Sequence, residues 1–301
     1  MPTAPTTPSR VSPVAGLLLV VVFWAGNFTA TKVAFTEVPP LAFTGLRFAL
    51  ASVVLWLVVR RVEGIEPIPR QYLPHLVALG VIGNSIYQLL FVLGLDKTAV
   101  TKSALILAIL PIGVTIGAAV LGIEHVTTRQ RIAVLVSTIG VILVLLARGG
   151  TIGGGIGVGE IMLLLAVIAW TAYTLMLRRW ALPISTLRIT AWTVYTGTPL
   201  LVLAGIPGAL RTDWSSVSLV GWGGILYSAL LSLVVAYVLW NRAVTTLGAS
   251  RTAVYNSLVP FVSALIAFVV LGERPGPLHV VGGLLIIAGV ILANQATAPE
   301  G

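Results

Sequence analysis

Charged side chains are scarce in this sequence. Only 9% of the 301 residues are Asp, Glu, Lys or Arg, whereas about a quarter are charged in a typical soluble domain. Hydrophobic residues make up 57% of the chain. This balance excludes a water-soluble fold. Since a membrane-spanning helix needs about 20 apolar residues, the length accommodates about ten spans and leaves no room for a second, soluble domain.

Cysteine is absent altogether, which removes disulfides, thiol catalysis and cysteine-ligated metals from consideration. Acidic residues are missing from the middle of the long apolar stretches. Those within the apolar region fall near predicted span ends: Glu37, Asp96, Glu124, Glu160 and Glu273. No carboxylate is therefore predicted at the membrane midplane, where it could carry a proton or bind a cation.

Histidines are few and scattered. His75, His125 and His279 all lie near predicted span ends. An intramembrane enzyme needs a nucleophile with its base, or a set of metal ligands, at a shared depth. The sequence shows no such group, so it predicts no enzyme activity, no metal site and no cofactor.

Apolar stretches bounded by Pro, Gly or charged residues predict ten helical spans. In the first half they lie at about 14–35, 41–60, 73–93, 98–121 and 128–147. In the second half they lie at about 157–178, 187–205, 217–240, 248–271 and 277–295. The predicted fold is all-α and polytopic, because open sheet edges cannot be satisfied in hydrocarbon. Residues 1–13 and 296–301 are predicted tails, the first of them disordered.

The formal charge of +9 reflects orientation in a membrane rather than nucleic-acid binding, because the basic residues occur singly or in pairs between apolar runs. With the N-terminus inside, most arginines fall on the cytoplasmic side, among them Arg60, Arg61, Arg178 and Arg179. The positive-inside rule then predicts both termini in the cytoplasm, in a protein of the cell (inner) membrane. The lipid bilayer is a predicted partner, and nucleic acid is not.

The second half of the chain repeats the first. Pairs at an offset of 149 residues include Pro111 with Pro260, Glu124 with Glu273, and Gly140-Val141-Ile142-Leu143 with Gly289-Val290-Ile291-Leu292. Pairs at an offset of 146 residues include Trp24 with Trp170 and Thr44 with Thr190. The predicted units, 14–147 and 148–295, hold five spans each, and an odd number makes the second unit enter the membrane from the opposite side. Inverted repeats are a basis of alternating access, with duplication retained only for stability as the alternative.

The repeated segments resemble those of a known family. LILAILPIGVTIGAAVLGIEHVTTRQRIAVLVSTIGVILV and YNSLVPFVSALIAFVVLGERPGPLHVVGGLLIIAGVIL are similar to the closing parts of the two EamA repeats of the drug/metabolite transporter (DMT) superfamily. The resemblance extends over nearly the whole chain. It implies a ten-helix inverted-repeat carrier whose central cavity is lined mainly by helices other than the fifth and the tenth.

Polar and aromatic residues recur at helical spacing in several spans. The substrate-binding candidates among them are Trp24, Asn27, Asn84, Tyr87, Gln88, Trp170, Tyr173, Tyr237 and Asn256. Trp240 and Asn241 continue the stripe of the eighth span but are predicted close to the cytoplasmic edge. Since unpaired amides are costly in hydrocarbon, these stripes should face the bundle interior or water. Interhelical hydrogen bonding is the alternative.

Two basic residues and two prolines complete the candidate set. Lys102 and Arg251 match at the 149-residue offset, and each could meet an anionic substrate group, with snorkelling to lipid headgroups as the alternative. Pro111 and Pro260 lie deep in their spans, where each removes an amide donor, so they are predicted hinges. Arg47 fits the family's arginine in the second span, and we expect it to fix helix packing or gating.

Taken together, these features predict an alternating-access transporter for a small-molecule substrate. Export of amino acids or related metabolites is what the family resemblance implies. A multidrug or cationic-compound efflux carrier is the alternative, because aromatic rings can hold a cation. A membrane channel and an intramembrane enzyme are the competing classes. The sequence is compatible with a homodimer.

Overall fold

The described structure, a computed structural model, covers residues 12–64, 66–98, 103, 106–147, 157–271 and 276–295. Within these ranges the regular structure is helical and no strand occurs. The helices of the first half are α1 (Pro13–Phe35), α2 (Pro40–Val62), α3 (Arg70–Lys97), α4 (Leu110–Val120) and α5 (Thr128–Ala147). Those of the second half are α6 (Val158–Trp180), α7 (Thr186–Ala209), α8 (Leu219–Leu247), α9 in two pieces (Ala249–Tyr255 and Leu258–Leu271) and α10 (Pro277–Gln295).

Eight of the described helices are long and apolar enough to cross a membrane. The prediction of an all-α, polytopic membrane protein is thereby confirmed. The fourth and ninth predicted spans are not single long helices within the described residues, because a turn at Ala108 and Ile109 precedes α4 and α9 is interrupted after Tyr255. Both interruptions lie next to the matched prolines.

Serine caps set the starts of several helices. Ser12, Ser185 and Ser218 each precede a helix in extended backbone, and each hydroxyl accepts a hydrogen bond from the amide three residues on, at 3.0 to 3.1 Å. These bonds satisfy amide groups that have no partner within the helix. The sequence thus fixes where α1, α7 and α8 enter the bundle.

The two halves pack around a pseudo-twofold axis. α2 packs on α7 and α5 on α10, while α1 contacts α8 and α9 just as α6 contacts α3 and α4. Exchanging the halves leaves this set of contacts unchanged. Residues on the axis meet their own counterparts: the hydroxyls of Ser52 and Thr198, 146 residues apart, are 2.9 Å apart, and Gln88 bonds Tyr237, 149 residues along. The prediction of two inverted five-helix repeats is confirmed.

Small residues allow α5 and α10 to pack backbone to backbone. A Cβ atom on Gly140 would lie 2.6 Å from the carbonyl oxygen of Gly282, and one on Gly289 would lie 2.7 Å from that of Ala133. These two contacts are equivalent under the 149-residue offset, since 133 matches 282 and 140 matches 289. The other principal neighbours of this helix pair are α4 and α9, so α5 and α10 form a flank of the bundle.

Two wide helical turns lie at matched places. Residues Val81–Ile86 of α3 and Ser228–Val235 of α8 are π-helical, with hydrogen bonds to the fifth residue back. Such turns often mark functional positions within α-helices. We call them the π segments, and both lie beside the residues described next.

Candidate functional site

Aromatic side chains from both halves meet at the centre of the bundle. The members are Trp24 of α1, Tyr87 of α3, Trp170 and Tyr173 of α6, and Tyr237 and Trp240 of α8. Neighbouring ring centroids are 4.7 to 6.3 Å apart. We call this group the aromatic cluster. Trp24 and Trp170 are counterparts at the 146-residue offset and contact each other edge to face at 5.9 Å, so the cluster lies on the pseudo-twofold axis.

The aromatic cluster combines apolar faces with polar edges. Trp24 Nε1 donates to the carbonyl oxygen of Ser232, inside the π segment of α8, at 3.2 Å. Trp240 Nε1 is buried with no acceptor among the described residues. Aromatic faces bind apolar, aromatic or cationic groups, while a buried N–H without a partner favours a ligand that can accept it. The rings pack directly on one another, so a ligand must separate them to enter.

Arg47 connects α2 to the π segment of α8 and to α3 two residues beyond its π segment. Its side chain is only 4% exposed. Nη1 donates to Ser228 Oγ at 2.7 Å, and Nη2 donates to Gln88 Oε1 at 2.7 Å. Gln88 Nε2 in turn donates to Tyr237 Oη at 3.1 Å. We call these four residues the polar bridge, and Tyr237 joins it to the aromatic cluster.

A second set of hydrogen bonds ties α6, α7 and α8 together. Tyr173 Oη donates to Asn241 Oδ1 at 2.8 Å, and Asn241 Nδ2 donates to Thr190 Oγ1 at 2.8 Å. On α3, Asn84 Nδ2 donates to the carbonyl oxygen of Thr193 at 2.9 Å, while Asn84 Oδ1 is buried with no described partner. The bond of Asn84 places the π segment of α3 against α7. The bond of Tyr173 orients its ring, whose centroid is 5.2 Å from that of Trp170.

Most of the predicted site residues converge. The structure brings six of them into the aromatic cluster and polar bridge: Trp24, Tyr87, Gln88, Trp170, Tyr173 and Tyr237. Arg47, predicted for packing or gating, is also a member of the polar bridge. Asn84 lies one turn before Gln88 on α3 and bonds the carbonyl oxygen of Thr193 instead. Asn27 lies one turn beyond Trp24 on α1, and its Oδ1 is buried without a described partner. Interhelical bonding, the alternative interpretation, also occurs, as Asn84 and Tyr173 show.

Three predicted residues lie apart from this centre or outside the described residues. Arg251 Nε donates to Asn294 Oδ1 of α10 at 2.8 Å, so it is directed at the flank of the bundle. Asn256 lies in the interruption of α9, where its carbonyl oxygen accepts from the amide of Val259 at 3.1 Å. Lys102 lies outside the described residues.

Both prolines follow an interruption of their helix. In the fourth span, Ala108 and Ile109 form a turn before Leu110–Val120 begins, and Pro111 is in its first turn. In the ninth span, Asn256 and Ser257 form the equivalent turn before Leu258–Leu271. A proline tolerates the first turn of a helix because its missing N–H needs no partner there. The prolines therefore divide these helices rather than bend them.

Sequence reasoning missed part of this centre. Trp240 and Asn241 were predicted close to the cytoplasmic edge and were not among the candidates. They are 1% and 0% exposed, and α8 continues beyond them to Leu247. Their spacing from Tyr237 was the available signal. Ser228 carries no sequence signal as an arginine partner. The π segments were not predicted from the sequence either.

Inverted units that enclose a polar and aromatic centre define a membrane transporter. The chain belongs to the EamA-like transporter family, whose sequence model matches residues 12–146 and again residues 157–295. It is a transporter and not an enzyme, and the predicted family is confirmed.

Relatives with broad coverage carry transporter names. The chain is 28% identical to the uncharacterized transporter YyaM of Bacillus subtilis, over 91% of this chain and 90% of that protein. It is 29% identical to a "probable terminal-alkyne amino-acid exporter" of Streptantibioticus cattleyicolor, over 93% of each. It is 25% identical to an S-adenosylmethionine/S-adenosylhomocysteine transporter of Chlamydia muridarum, over 87% and 86%. A crystal structure with 19% identity shares the fold, at a TM-score of 0.79 over 96% of this chain and all of that one.

Proposed function

We propose that the protein is an alternating-access exporter of small organic metabolites such as amino acids. It acts in the cell (inner) membrane with both termini in the cytoplasm, and the units 14–147 and 148–295 exchange conformations during the cycle. The carrying observation is that the aromatic cluster takes residues from both units and lies on the axis between them. A site built in this way opens to one side or the other when the units move.

The named relatives support a metabolite as substrate. One is described as an amino-acid exporter and another as a transporter of S-adenosylmethionine and S-adenosylhomocysteine. Both kinds of compound combine an amino acid group with a larger apolar or aromatic part. An aromatic cluster beside a polar bridge is complementary to such a molecule, since rings bind the apolar part and hydrogen-bonding groups orient the polar end.

A carboxylate closes the face that is predicted to be cytoplasmic. Glu124, between α4 and α5, accepts hydrogen bonds from the amides of Ala249 and Ser250 at 2.6 and 3.1 Å, at the start of α9. The same side chain pairs with Arg178 Nε at the end of α6, at 3.1 Å. Helix N-termini and cations both stabilise a carboxylate. In the proposed cycle this contact breaks when the cytoplasmic side opens, with the interruptions at Pro111 and Pro260 as hinges.

Efflux of cationic compounds is the second candidate. Its support is the aromatic cluster, because ring faces attract cations. Arg47 counts against it, since the guanidinium is connected to the cluster through Gln88 and Tyr237 and repels a second positive charge. We therefore place metabolites that carry an acidic group ahead of permanent cations.

Transport in proteoliposomes tests the proposal. Purified protein is reconstituted and assayed with radiolabelled amino acids and S-adenosyl compounds. Asn84→Leu and Gln88→Leu are expected to lower uptake or apparent affinity in protein that remains monodisperse. Trp170→Leu removes the ring that contacts all five other rings of the aromatic cluster and is expected to have the largest effect on apparent affinity.

Matched controls lie away from the centre. Gln130→Leu changes an amide at the start of α5, where Gln130 bonds Thr127. Trp222→Leu changes a tryptophan of α8 that lies outside the aromatic cluster, where its ring centroid is 5.8 Å from that of Trp214. Both controls are expected to transport like the wild type. Unchanged uptake and affinity in all the central variants would show that the proposed site is wrong.

A further inference from the structure

Arg47 carries a buried positive charge that no described carboxylate neutralises. Two of its five N–H groups donate to Ser228 and Gln88, which are neutral, and Nε is buried with no partner among the described residues. Its other close neighbours are the rings of Phe43 and Phe48, 5.2 and 5.6 Å from the guanidinium carbon. The described acidic residues all lie in loops or end turns: Glu37, Glu63, Glu66, Asp96, Glu124, Glu160 and Asp213.

The positive charge of Arg47 is not stabilised by lipid headgroups. Arg47 is the eighth residue of α2, so it lies about 10 Å along the helix at 1.5 Å per residue. Its side chain is directed across the bundle to α3 and α8 and is only 4% exposed, which excludes snorkelling to headgroups. An arginine in the middle of a transmembrane helix costs about 2.5 to 3.5 kcal/mol on insertion scales.

The scaffold does not require a charge at this position. The counterpart of Arg47 at the 146-residue offset is Thr193 of α7. Thr193 is also buried, and its hydroxyl donates to the carbonyl oxygen of Thr190 at 2.9 Å. A neutral side chain therefore serves the same packing position in the second half. The charge at Arg47 calls for an explanation beyond helix packing.

We infer that Arg47 binds the carboxylate of the transported substrate. The inference rests on the proposed function and narrows its substrate class to organic anions and zwitterions that carry a carboxylate beside an apolar or aromatic group. The ligand carboxylate accepts from the unpaired N–H groups of Arg47, as arginine and carboxylate geometries match. Gln88 and Tyr237 orient the guanidinium, and the apolar part of the ligand lies against Trp24 and Trp170 of the aromatic cluster.

Matched ligands that differ only in charge test the inference. Thermal unfolding of the purified full chain is followed with acetate, 3-phenylpropionate and L-phenylalanine, and with the corresponding amides. In the wild type, at least one carboxylate is expected to raise the unfolding temperature in a saturable way, because ligands that bind the folded state stabilise it. Its amide should bind about 10- to 100-fold more weakly, the range that a hydrogen bond to a charged group contributes. Equal responses to acid and amide, or no response to any carboxylate, would overturn the inference.

Two substitutions at the bridge separate binding from structure. Arg47→Met removes the charge and should abolish the response to carboxylates, whereas Arg60→Met, on the exposed end of the same helix over Trp56, should not change it. Gln88→Glu covers the case in which Arg47→Met does not fold. The new carboxylate takes the place of Gln88 Oε1, 2.7 Å from Nη2, pairs with Arg47 inside the protein and should also remove the response while keeping the fold. A purely structural Arg47 predicts that Gln88→Glu binds carboxylates like the wild type.

Transport distinguishes this inference from the proposed function. Binding of a carboxylate that depends on Arg47, without uptake into proteoliposomes, would keep the inference and reject the transport cycle proposed above. Uptake of amino acids that is equal in the wild type and in folded Gln88→Glu would keep the transport function and reject the role of Arg47.

Discussion

The two halves of the molecule share their backbone but not their chemistry. α3 and α8 both contain a π segment, at Val81–Ile86 and Ser228–Val235. Beyond the first segment lies Gln88, which receives a hydrogen bond from Arg47, and beyond the second lies Tyr237 at the matching position. The first half thus contributes the charge and the amide of the polar bridge, while the second contributes four of the six rings of the aromatic cluster. In the proposed cycle the duplicated backbone would supply the movement, and the unequal side chains would supply the selectivity.

The largest expected effect is a loss of stability when the close packing of α5 against α10 is disrupted. Gly140→Leu and Gly289→Leu each force a side chain into the backbone of the facing helix, where even a Cβ atom would lie 2.6 to 2.7 Å from a carbonyl oxygen. We expect each to lower the free energy of unfolding by about 3 kcal/mol or more, at the upper end of typical overpacking costs. Thermal unfolding in detergent measures the loss. Gly223→Leu, with no atom within 4 Å of the added Cβ, is the control. Unequal losses at Gly140 and Gly289 would contradict their equivalence.

The prolines test whether the halves move alike. Pro111→Ala and Pro260→Ala restore an amide donor next to an interruption, which favours a continuous helix. We expect higher thermal stability together with transport about tenfold slower, which corresponds to 1.4 kcal/mol on the barrier. Uptake rates and unfolding temperatures are measured on the same preparations. A loss of rate in only one variant would show that a single half supplies the hinge.

Hydroxyl deletions test how the second half holds its rings. Tyr173→Phe removes the hydrogen bond from α6 to Asn241 of α8, which in turn bonds Thr190 of α7. We expect a loss of about 0.6 kcal/mol, with 1.7 as an upper value, as found for hydrogen bonds within membrane proteins. Its ligand preference should stay that of the wild type, whereas Tyr237→Phe should alter affinity because Tyr237 joins the polar bridge to the cluster. A change of affinity in Tyr173→Phe with none in Tyr237→Phe would contradict this assignment and make Tyr173 the residue that governs ligand binding.

The smallest expected effect is on the pH dependence of stability, and it concerns Glu37, which follows α1. Glu37 accepts hydrogen bonds from the amide and hydroxyl of Ser218, both at 2.7 Å, and these bonds hold the pKa of the Glu37 carboxyl below its usual range. A carboxyl with a lowered pKa stabilises the folded state above its ordinary pKa, and this stabilisation is lost as the pH falls through the lowered value. The unfolding temperature of the wild type should therefore exceed that of Glu37→Gln slightly at neutral pH, and the difference should vanish in acid. A difference that is constant with pH would contradict this assignment.

Much of this architecture follows from sequence alone, because hydrophobic runs and a fixed offset are direct consequences of membrane insertion and duplication. Six members of the aromatic cluster and polar bridge were found from helical spacing in the first, third, sixth and eighth spans, and Arg47 was found from the family resemblance. The burial of Trp240 was missed because Arg242 follows it closely and suggested that the span ends there, whereas α8 continues to Leu247. The partners of Arg47 could not be predicted, since a hydroxyl such as that of Ser228 carries no distinctive pattern and π segments depend on how helices pack.

The pseudo-twofold axis has a consequence for how such a protein acquires specificity. In an assembly of two identical units, any side chain on the axis would face a copy of itself. Gln88 would then meet glutamine, and the charge of Arg47 would occur twice around one centre. Joining the units in a single chain frees each member of such a pair to change alone. The contact of Gln88 with Tyr237 is a pairing that two identical units could not make on their shared axis.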